Sequence, residues 1–359
     1  MAGTPYLWMD GKRVAAIKSP TRNFVTRGRT IYDPDGNVFV PRGVNIGGTI
    51  ANNGNGWPDF ALDPAFAQGM LDWHCNAVRI ATYNTATQPW SPKGKALAAG
   101  KTEAEADAEI DALVDNLTSF YRARGFVTII ECHDITHSFK DGTLEQIEAF
   151  WVRYANRWKH DPYVWINIAN EPSLGPTTWI QFHDRVCWAI RNTGAKNMII
   201  TDLLYFASDS PKDFYGQVIP RGYEPGRVDY LIARHGNIIA SQHNYGGAGA
   251  YTTTAAARTH FQKYKDADVP FMVGEVGYPM AGVAANTGNW QYERDAAVNW
   301  CAVAPEYDIG VFWWAAAFND AYRLEGTSAN WTNGITNPFR SGAVLNEAGV
   351  MFKQYLANS

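Results

Sequence analysis

The feature that most constrains this chain recurs along most of its length. A short apolar, β-branched run ends in polar residues, and a helical pattern follows. Eight such runs are legible, at Val40–Ile46, Ala77–Thr82, Phe126–Cys132, Val164–Ile168, Met198–Thr201, Ile238–Ser241, Pro270–Val273 and Gly310–Trp314. A strand that is apolar along its whole length must be covered on both faces, which is the condition of a parallel sheet wrapped by helices. Eight is the number that closes such a sheet on itself. The expected fold class is therefore α/β, a (β/α)8 TIM barrel.

Two of the intervening segments carry clear helix signals. Thr102-Glu103-Ala104-Glu105 and Thr143-Leu144-Glu145-Gln146 have the form of capping boxes. The first precedes an apolar stripe of Ile110, Leu113, Val114, Leu117, Phe120 and Tyr121, with Gly125 as the expected stop. The second precedes Ile147, Phe150, Trp151, Tyr154 and Trp158. Ahead of the first run, Phe24–Ile31 and Val38–Val40 flank Asp33-Pro34-Asp35-Gly36-Asn37, which reads as a β-hairpin turning at that pentapeptide. Such a hairpin would close the barrel bottom. With no internal repeat and no low-complexity linker, residues 1–359 read as a single catalytic domain, of which 1–39 are the extension and hairpin.

Composition removes several function classes. Lys and Arg number 31 against 35 Asp and Glu, a net charge of −4, so the basic face that a phosphate backbone needs is missing and no nucleic-acid partner is expected. The 46% hydrophobic content excludes disorder. The longest uninterrupted apolar run, Val311–Phe318, has eight residues. Crossing a bilayer takes about 20, so no membrane span is expected. Cys75, Cys132, Cys187 and Cys301 fit neither a disulfide framework nor a Cys-x-x-Cys metal knuckle and read as buried thiols. The N-terminus lacks the apolar core of a signal peptide. Trp57, Trp90, Trp290 and Trp331 sit among Gly, Asn, Pro and Ser and read as loop residues, for each of which simple packing competes with, and outweighs, a role against a flat, partly apolar ligand such as a sugar ring.

In a parallel barrel the active site lies at the C-terminal ends of the strands. The residues that end the runs are Asn45, Arg79, His133 with Asp134, Asn170-Glu171, His243 with Tyr245, Glu275, and Trp313-Trp314. His243 and Tyr245 are two apart, so an extended backbone points both to one side. Glu171 and Glu275 would then meet in one pit, although 104 positions separate them. Two convergent carboxyls are the requirement for cleaving a glycosidic bond: one protonated to donate to the leaving oxygen, one ionised to attack or to activate water. Arg79 and the Tyr245 hydroxyl would favour the charged form of one glutamate, and His243 could tune the other.

These segments identify a resemblance. Ala77-Val78-Arg79-Ile80, Ile130-Glu131-Cys132-His133-Asp134, Ile166-Asn167-Ile168-Ala169-Asn170-Glu171-Pro172, His243-Asn244-Tyr245 and Gly274-Glu275-Val276-Gly277 resemble glycoside hydrolase family 5, in that family's order, from about Phe24 to the C-terminus. The resemblance implies a (β/α)8 barrel with retaining chemistry, Glu171 as acid/base and Glu275 as nucleophile. It further implies that Asn170 bonds the sugar 2-hydroxyl, that Arg79 and Tyr245 hold the nucleophile, and that His133 and His243 line the cleaved subsite. Trp314, which precedes the small Ala315, is the implied stacking platform rather than Trp313. His133-Asp134-Ile135-Thr136, the run Ile166–Glu171 and Gly246-Gly247-Ala248-Gly249 look closer to the family's bacterial endo-β-1,4-mannanases than to its cellulases. The expected substrate is β-mannan or glucomannan, with β-1,4-glucan as the alternative. No cofactor and no metal are expected, and the protein is expected to act as a secreted monomer on a polysaccharide or oligosaccharide.

Three other readings compete. Glu131, His133, Asp134 and His137 cluster like metal ligands, but the first run offers Val44-Asn45-Ile46-Gly47 and no His-x-His. Glu171-Pro172-Ser173-Leu174-Gly175 imitates a nucleophile elbow but lacks its first glycine. A sugar-binding barrel without catalysis would not need both glutamates.

Overall fold

The eight runs form the eight strands of one closed parallel barrel in a computed structural model, which describes residues 6–9, 12–15, 23–46, 61–82, 92–133, 144–172, 174–207, 225–245, 251–279, 290–316, 322, 324–325 and 337–359. The barrel strands are β1 (Gly43–Ile46), β2 (Ala77–Thr82), β3 (Val127–Cys132), β4 (Val164–Asn167), β5 (Ile199–Asp202), β6 (Ile238–Asn244), β7 (Phe271–Val276) and β8 (Gly310–Trp313). They follow one another round the ring in chain order, and β8 pairs with β1 to close it. Helices Glu103–Arg122, Leu144–Trp158, Pro176–Asn192, Pro225–His235, Thr254–Asp266 and Trp290–Val303 lie between successive strands, and Glu347–Asn358 follows β8. No described helix is long and apolar enough to cross a membrane. All four cysteines are unpaired and buried.

The capping box at Thr102 forms as its sequence dictates. The Glu105 carboxylate accepts the Thr102 main-chain N–H at 2.8 Å, and the Thr102 hydroxyl accepts the Glu105 N–H at 3.3 Å. The buried stripe of that helix, including Ile110, Val114, Leu117 and Tyr121, packs on the outer faces of the strands. Trp290 departs from expectation. It opens the helix Trp290–Val303 and is no loop residue, whereas Trp57, Trp90 and Trp331 lie outside the described residues.

The hairpin departs from expectation in having one turn more. Val25–Arg27 pairs with Thr30–Tyr32, so the chain already reverses at Gly28-Arg29, ahead of the expected turn at Asp33–Asn37. Gly28 adopts φ +56°, and a side chain there would overlap the Asp268 carboxylate that receives the Arg29 N–H at 2.9 Å. Asp33–Asn37 forms a second reversal, in which the Asp33 carboxylate accepts the N–H groups of Asp35 and Asn37 and Val38 returns to bridge Tyr32. The hairpin does close the barrel bottom. Phe24 meets Phe39, Tyr163 and Trp165 edge-on at 5.0, 5.0 and 5.2 Å and shares a cluster with the inward residues Val127, Ile129, Met198, Ile200, Ile239, Met272 and Phe312. Each such ring pair contributes about 0.5–1.5 kcal/mol beyond area burial. A further antiparallel pair, Tyr6–Met9 with Lys12–Ala15, precedes it.

Above this apolar floor the inner face turns polar, because side chains of a strand alternate and every second residue points inward. Asn45, Arg79, Glu131, Asn167, Asp202, Ser241, His243 and Glu275 are all buried. Register places Asn45 beside Arg79, Glu131 beside Asn167, Ser241 beside Asp202 and His243 beside Glu275. Strands β6 and β7 therefore run past their expected ends, through His243 and Glu275, and both carry irregularities of register there.

Candidate active site

Arg79 lies at the centre of the polar layer. It has no exposed surface and donates from Nε to Asn167 Oδ1 (2.8 Å), from Nη1 to Asn45 Oδ1 (2.9 Å) and Glu275 Oε1 (2.7 Å), and from Nη2 to Asn170 Oδ1 (2.9 Å). Asp202 Oδ2 and Glu131 Oε1 stand 3.4 and 3.8 Å from Nη2. Burial opposes its charge, but Glu131, Asp202 and Glu275 together outweigh burial and push the guanidinium above its ordinary value. Arg79 thus holds carboxylates and amides from beneath the pit.

Glu275 sits on β7 with one oxygen on Arg79 and the other, Oε2, accepting the Tyr245 hydroxyl at 2.8 Å. Burial pushes its carboxyl up and Glu171 adds to that, while His243, Arg79 and His133 pull it back. Both oxygens act as acceptors, which is the pattern of a carboxylate. Burial, then the charges of Glu275 and Glu171, drive the Tyr245 phenol well above its ordinary value, so it remains a donor. Gly274, immediately before, has no room for a side chain: a Cβ would overlap Ser241 Oγ and stand 3.0 Å from His243 Nε2.

Across the pit, Asn170 and Glu171 follow β4. Asn170 is anchored by its N–H on Cys132 O at 2.8 Å, and its amide approaches His133 Nε2 at 3.5 Å. Glu171 adopts φ +44°, a conformation that disfavours any residue with a Cβ, and its N–H is received by Asp202 Oδ2 at 3.2 Å. Its Oε1 lies 2.9 Å from His243 Nδ1. The same nitrogen is 3.5 Å from Glu275 Oε2, so one imidazole stands between the two carboxyls. Burial opposes charge on His243, but Glu275, Asp202 and Glu171 outweigh burial and hold the ring above its ordinary value. His133 is shifted the same way, burial being overcome chiefly by Glu131, whose Oε1 is 2.8 Å from its Nδ1.

One Glu171 oxygen, one Glu275 oxygen and one His243 nitrogen lie within 4.8 Å of one another. These donors could embrace a cation, but each is already engaged with a protein partner. Of the alternative metal cluster, Glu131 and His133 are bonded to each other and Asp134 and His137 lie outside the described residues. Trp314 is half-buried, its ring nearly parallel to that of His133 (18°) with centroids 5.8 Å apart. Trp313 is fully buried on the outer side against Tyr278 and Phe352. The eight residues to which the resemblance gives a role, Arg79, His133, Asn170, Glu171, His243, Tyr245, Glu275 and Trp314, converge on this one pit.

A family model described as Cellulase (glycosyl hydrolase family 5) matches residues 33–320. The chain belongs to glycosyl hydrolase family 5. Within reach of this glycoside hydrolase are a mannan endo-1,4-beta-mannosidase of Cellvibrio japonicus (strain Ueda107), 23% identical over 94% of this chain and 73% of that protein, and one of Streptomyces lividans, 27% identical over 70% of this chain and 57% of that protein. Among solved structures, the family 5 barrel is similar to a beta-mannanase from Streptomyces thermolilacinus with mannohexaose (TM-score 0.63, 18% identity, 94% and 96% of the two chains). It is equally similar in fold to the catalytic domain of a Thermobifida fusca endoglucanase in complex with cellotetraose (TM-score 0.63, 18% identity, 93% and 97%).

Sequence reasoning passed over several residues of the site. Asp202 and Asn167 complete the shell around Arg79, together with Glu131, which the sequence offered only as a metal ligand. Tyr322 packs edge-on to Tyr245 at 5.8 Å and donates its hydroxyl to Glu293 at 2.8 Å. For Asp202 a signal existed, since Met198-Ile199-Ile200-Thr201-Asp202 is an apolar run ending in an acid like the others.

Proposed function

We propose that this family 5 enzyme hydrolyses β-1,4-mannan or glucomannan at internal bonds by two displacements with net retention. Glu275 attacks the anomeric carbon as the glycosidic C–O bond breaks, and the proton of Glu171 goes to the leaving oxygen. Water then gives a proton to Glu171 and its oxygen to the anomeric carbon, releasing Glu275 and the sugar. Arg79 and Tyr245 hold the nucleophile ionised, Asn170 is placed to meet the sugar 2-hydroxyl, His133 and His243 line the cleaved subsite, and Trp314 is the stacking platform. The observation that carries this reading is that one oxygen of Glu171 and one of Glu275 lie within 4.8 Å of each other. Retaining enzymes place their carboxyls about 5–5.5 Å apart, whereas inverting ones leave about 6.5–9.5 Å for a water.

The mannan preference is supported by the two mannosidases above. The endoglucanase neighbour supports β-1,4-glucan as the second reading. In this reading the whole chain is one catalytic domain, the protein works outside the cell where such polymers are met, and a monomer suffices because one barrel supplies every group. Product analysis on mannan, glucomannan and carboxymethylcellulose side by side tests the substrate, with manno-oligosaccharides of mixed length expected. Proton NMR of the first-formed product tests the stereochemistry. An inverted anomer refutes the double displacement, and faster release from carboxymethylcellulose than from mannan selects the glucan reading.

A further inference from the structure

Asp202 ends β5 with no exposed surface and serves four groups at once. Its Oδ2 receives the Glu171 main-chain N–H at 3.2 Å, and it lies 3.3 Å from His243 Nε2 and 3.4 Å from Arg79 Nη2. Its Oδ1 receives Asn167 Nδ2 at 3.2 Å. Its own carbonyl is gripped from outside the barrel by the Trp179 indole N–H at 2.9 Å. One carboxylate therefore touches the acid/base glutamate by two routes. The direct route holds the Glu171 backbone at φ +44°, and the indirect route runs through His243, whose far edge, Nδ1, meets Glu171 Oε1 at 2.9 Å.

The charges around it are unbalanced. Among the described residues, Arg79 from β2 is the one fixed cation in this cluster. It faces Asp202, Glu131 from β3 and Glu275 from β7, and Glu171 stands beside His243. Among the described residues, His133 just after β3, His243 on β6, Tyr245 just after it, and His183 from the helix Pro176–Asn192 are the other titratable groups nearby. The excess of carboxyls is met by protons. An anion on the Nε2 edge of His243 raises the affinity of the His243–Glu171 pair for the proton it must keep.

We propose that Asp202 is a positioning residue for the acid/base glutamate, holding the Glu171 main chain by a hydrogen bond and lying as an anion against the Nε2 edge of the His243 ring, and that it sets the alkaline limit of the working range. The inference rests on the reading of Glu171 as acid/base. Asp202→Asn removes the charge and nearly preserves the shape. Removing a negative charge lowers the proton affinity of its neighbours, so the alkaline limb of kcat/KM moves to lower pH by about one unit or more. The acidic limb follows by less, since Arg79 stands between Asp202 and Glu275.

Leaving-group dependence separates positioning from mere structure. A dinitrophenyl glycoside departs without a proton, whereas a sugar needs one, so Asp202→Asn loses kcat/KM on unactivated oligosaccharide about tenfold or more beyond its loss on the dinitrophenyl substrate. Equal losses on both substrates with an unmoved alkaline limb overturn the inference alone. A wild-type protein that cleaves no β-glycoside overturns the underlying reading instead. If the variant does not fold, nitrogen-15 NMR of the wild-type histidines decides. His243, assigned through its own substitution, must titrate above 6.5 if Asp202 joins Glu275 and Glu171 in holding its proton as proposed, and titration at or below 6.5 overturns the inference.

Discussion

Replacing Arg79 by Met tests the organisation of the pit most severely. Met fills much of the same volume, but it leaves Glu131 and Asp202, both fully buried, and Glu275 without the guanidinium that faces all three. Breaking a buried ion pair by removing one partner costs about 3–5 kcal/mol, because the other partner keeps its desolvation penalty. For 359 residues at about 2.1 cal/mol/K each, the unfolding entropy is about 0.75 kcal/mol/K, so the melting temperature should fall by about 4–7 °C. Activity falls separately. The 2.7 Å bond to Glu275 Oε1 is charge-assisted and contributes about 1.5–3 kcal/mol, which is about 10- to 150-fold in kcat. Arg79 is also one of the groups pulling the Glu275 carboxyl down, so its loss moves the acidic limb of the rate profile to higher pH. Calorimetry, with kcat measured across pH, reads all three effects. Adding Glu131→Gln to the variant should restore part of the melting temperature by removing one orphaned charge. A variant as stable as the wild type, with an unmoved acidic limb, would refute the claim that Arg79 neutralises this cluster.

Other perturbations have equally definite outcomes. Glu275→Ala should reduce turnover below about one per cent while the fold persists, since Arg79 keeps Glu131 and Asp202, and a residual rate of several per cent contradicts its role as nucleophile. Because burial raises the Glu275 carboxyl, the group stays protonated above the ordinary 4.5 of a glutamate, so the acidic limb of the wild-type profile should lie above that value in kcat/KM measurements. Gly274→Ala places a Cβ 3.0 Å from His243 Nε2 and should displace the ring from Glu171, at a stability cost of about 1–3 kcal/mol and a larger proportional loss of kcat; wild-type kcat would show that the ring has room to move. His183 and His260 are buried neutral, pushed down by burial to about 4 and about 3 from 6.5. The unfolded chain binds protons there first, so each contributes stability that is complete above 6.5 and is lost as pH falls, at about 1.4 kcal/mol per pH unit. His260→Gln should flatten the decline of melting temperature below pH 6, and an unchanged slope would show that His260 is not its source.

The barrel was legible because its strands are buried on both faces and so write themselves as apolar runs. Helix starts were legible where a side chain caps them, as at Thr102. Strand ends were less so. Ser241-Gln242-His243 and Gly274-Glu275 look like loop because they are polar or small, yet they continue strands whose inner faces form the site. The turn at Asp33-Pro34-Asp35-Gly36-Asn37 was legible from its local chemistry, whereas the reversal at Gly28 was not, because it is specified by Asp268, distant in sequence. Trp290 was misread for a related reason: its Gly and Asn neighbours precede a helix rather than continue a loop. Among site residues, those at run ends stood out, while the part that Asn167, Glu131 and Asp202 play through Arg79 depends on strands distant in sequence.

Two tryptophans on the outer layer reach through to the strand ends: Trp151 Nε1 donates to Ile168 O at 2.8 Å and Trp179 Nε1 to Asp202 O at 2.9 Å. The envelope of the protein is thereby wired to its chemistry. Substitutions chosen to stiffen the helices Leu144–Trp158 and Pro176–Asn192 will be felt where bonds are made and broken. Any effort to harden this catalyst against heat must treat those two indoles as parts of the machine and direct its changes to other turns of the same helices.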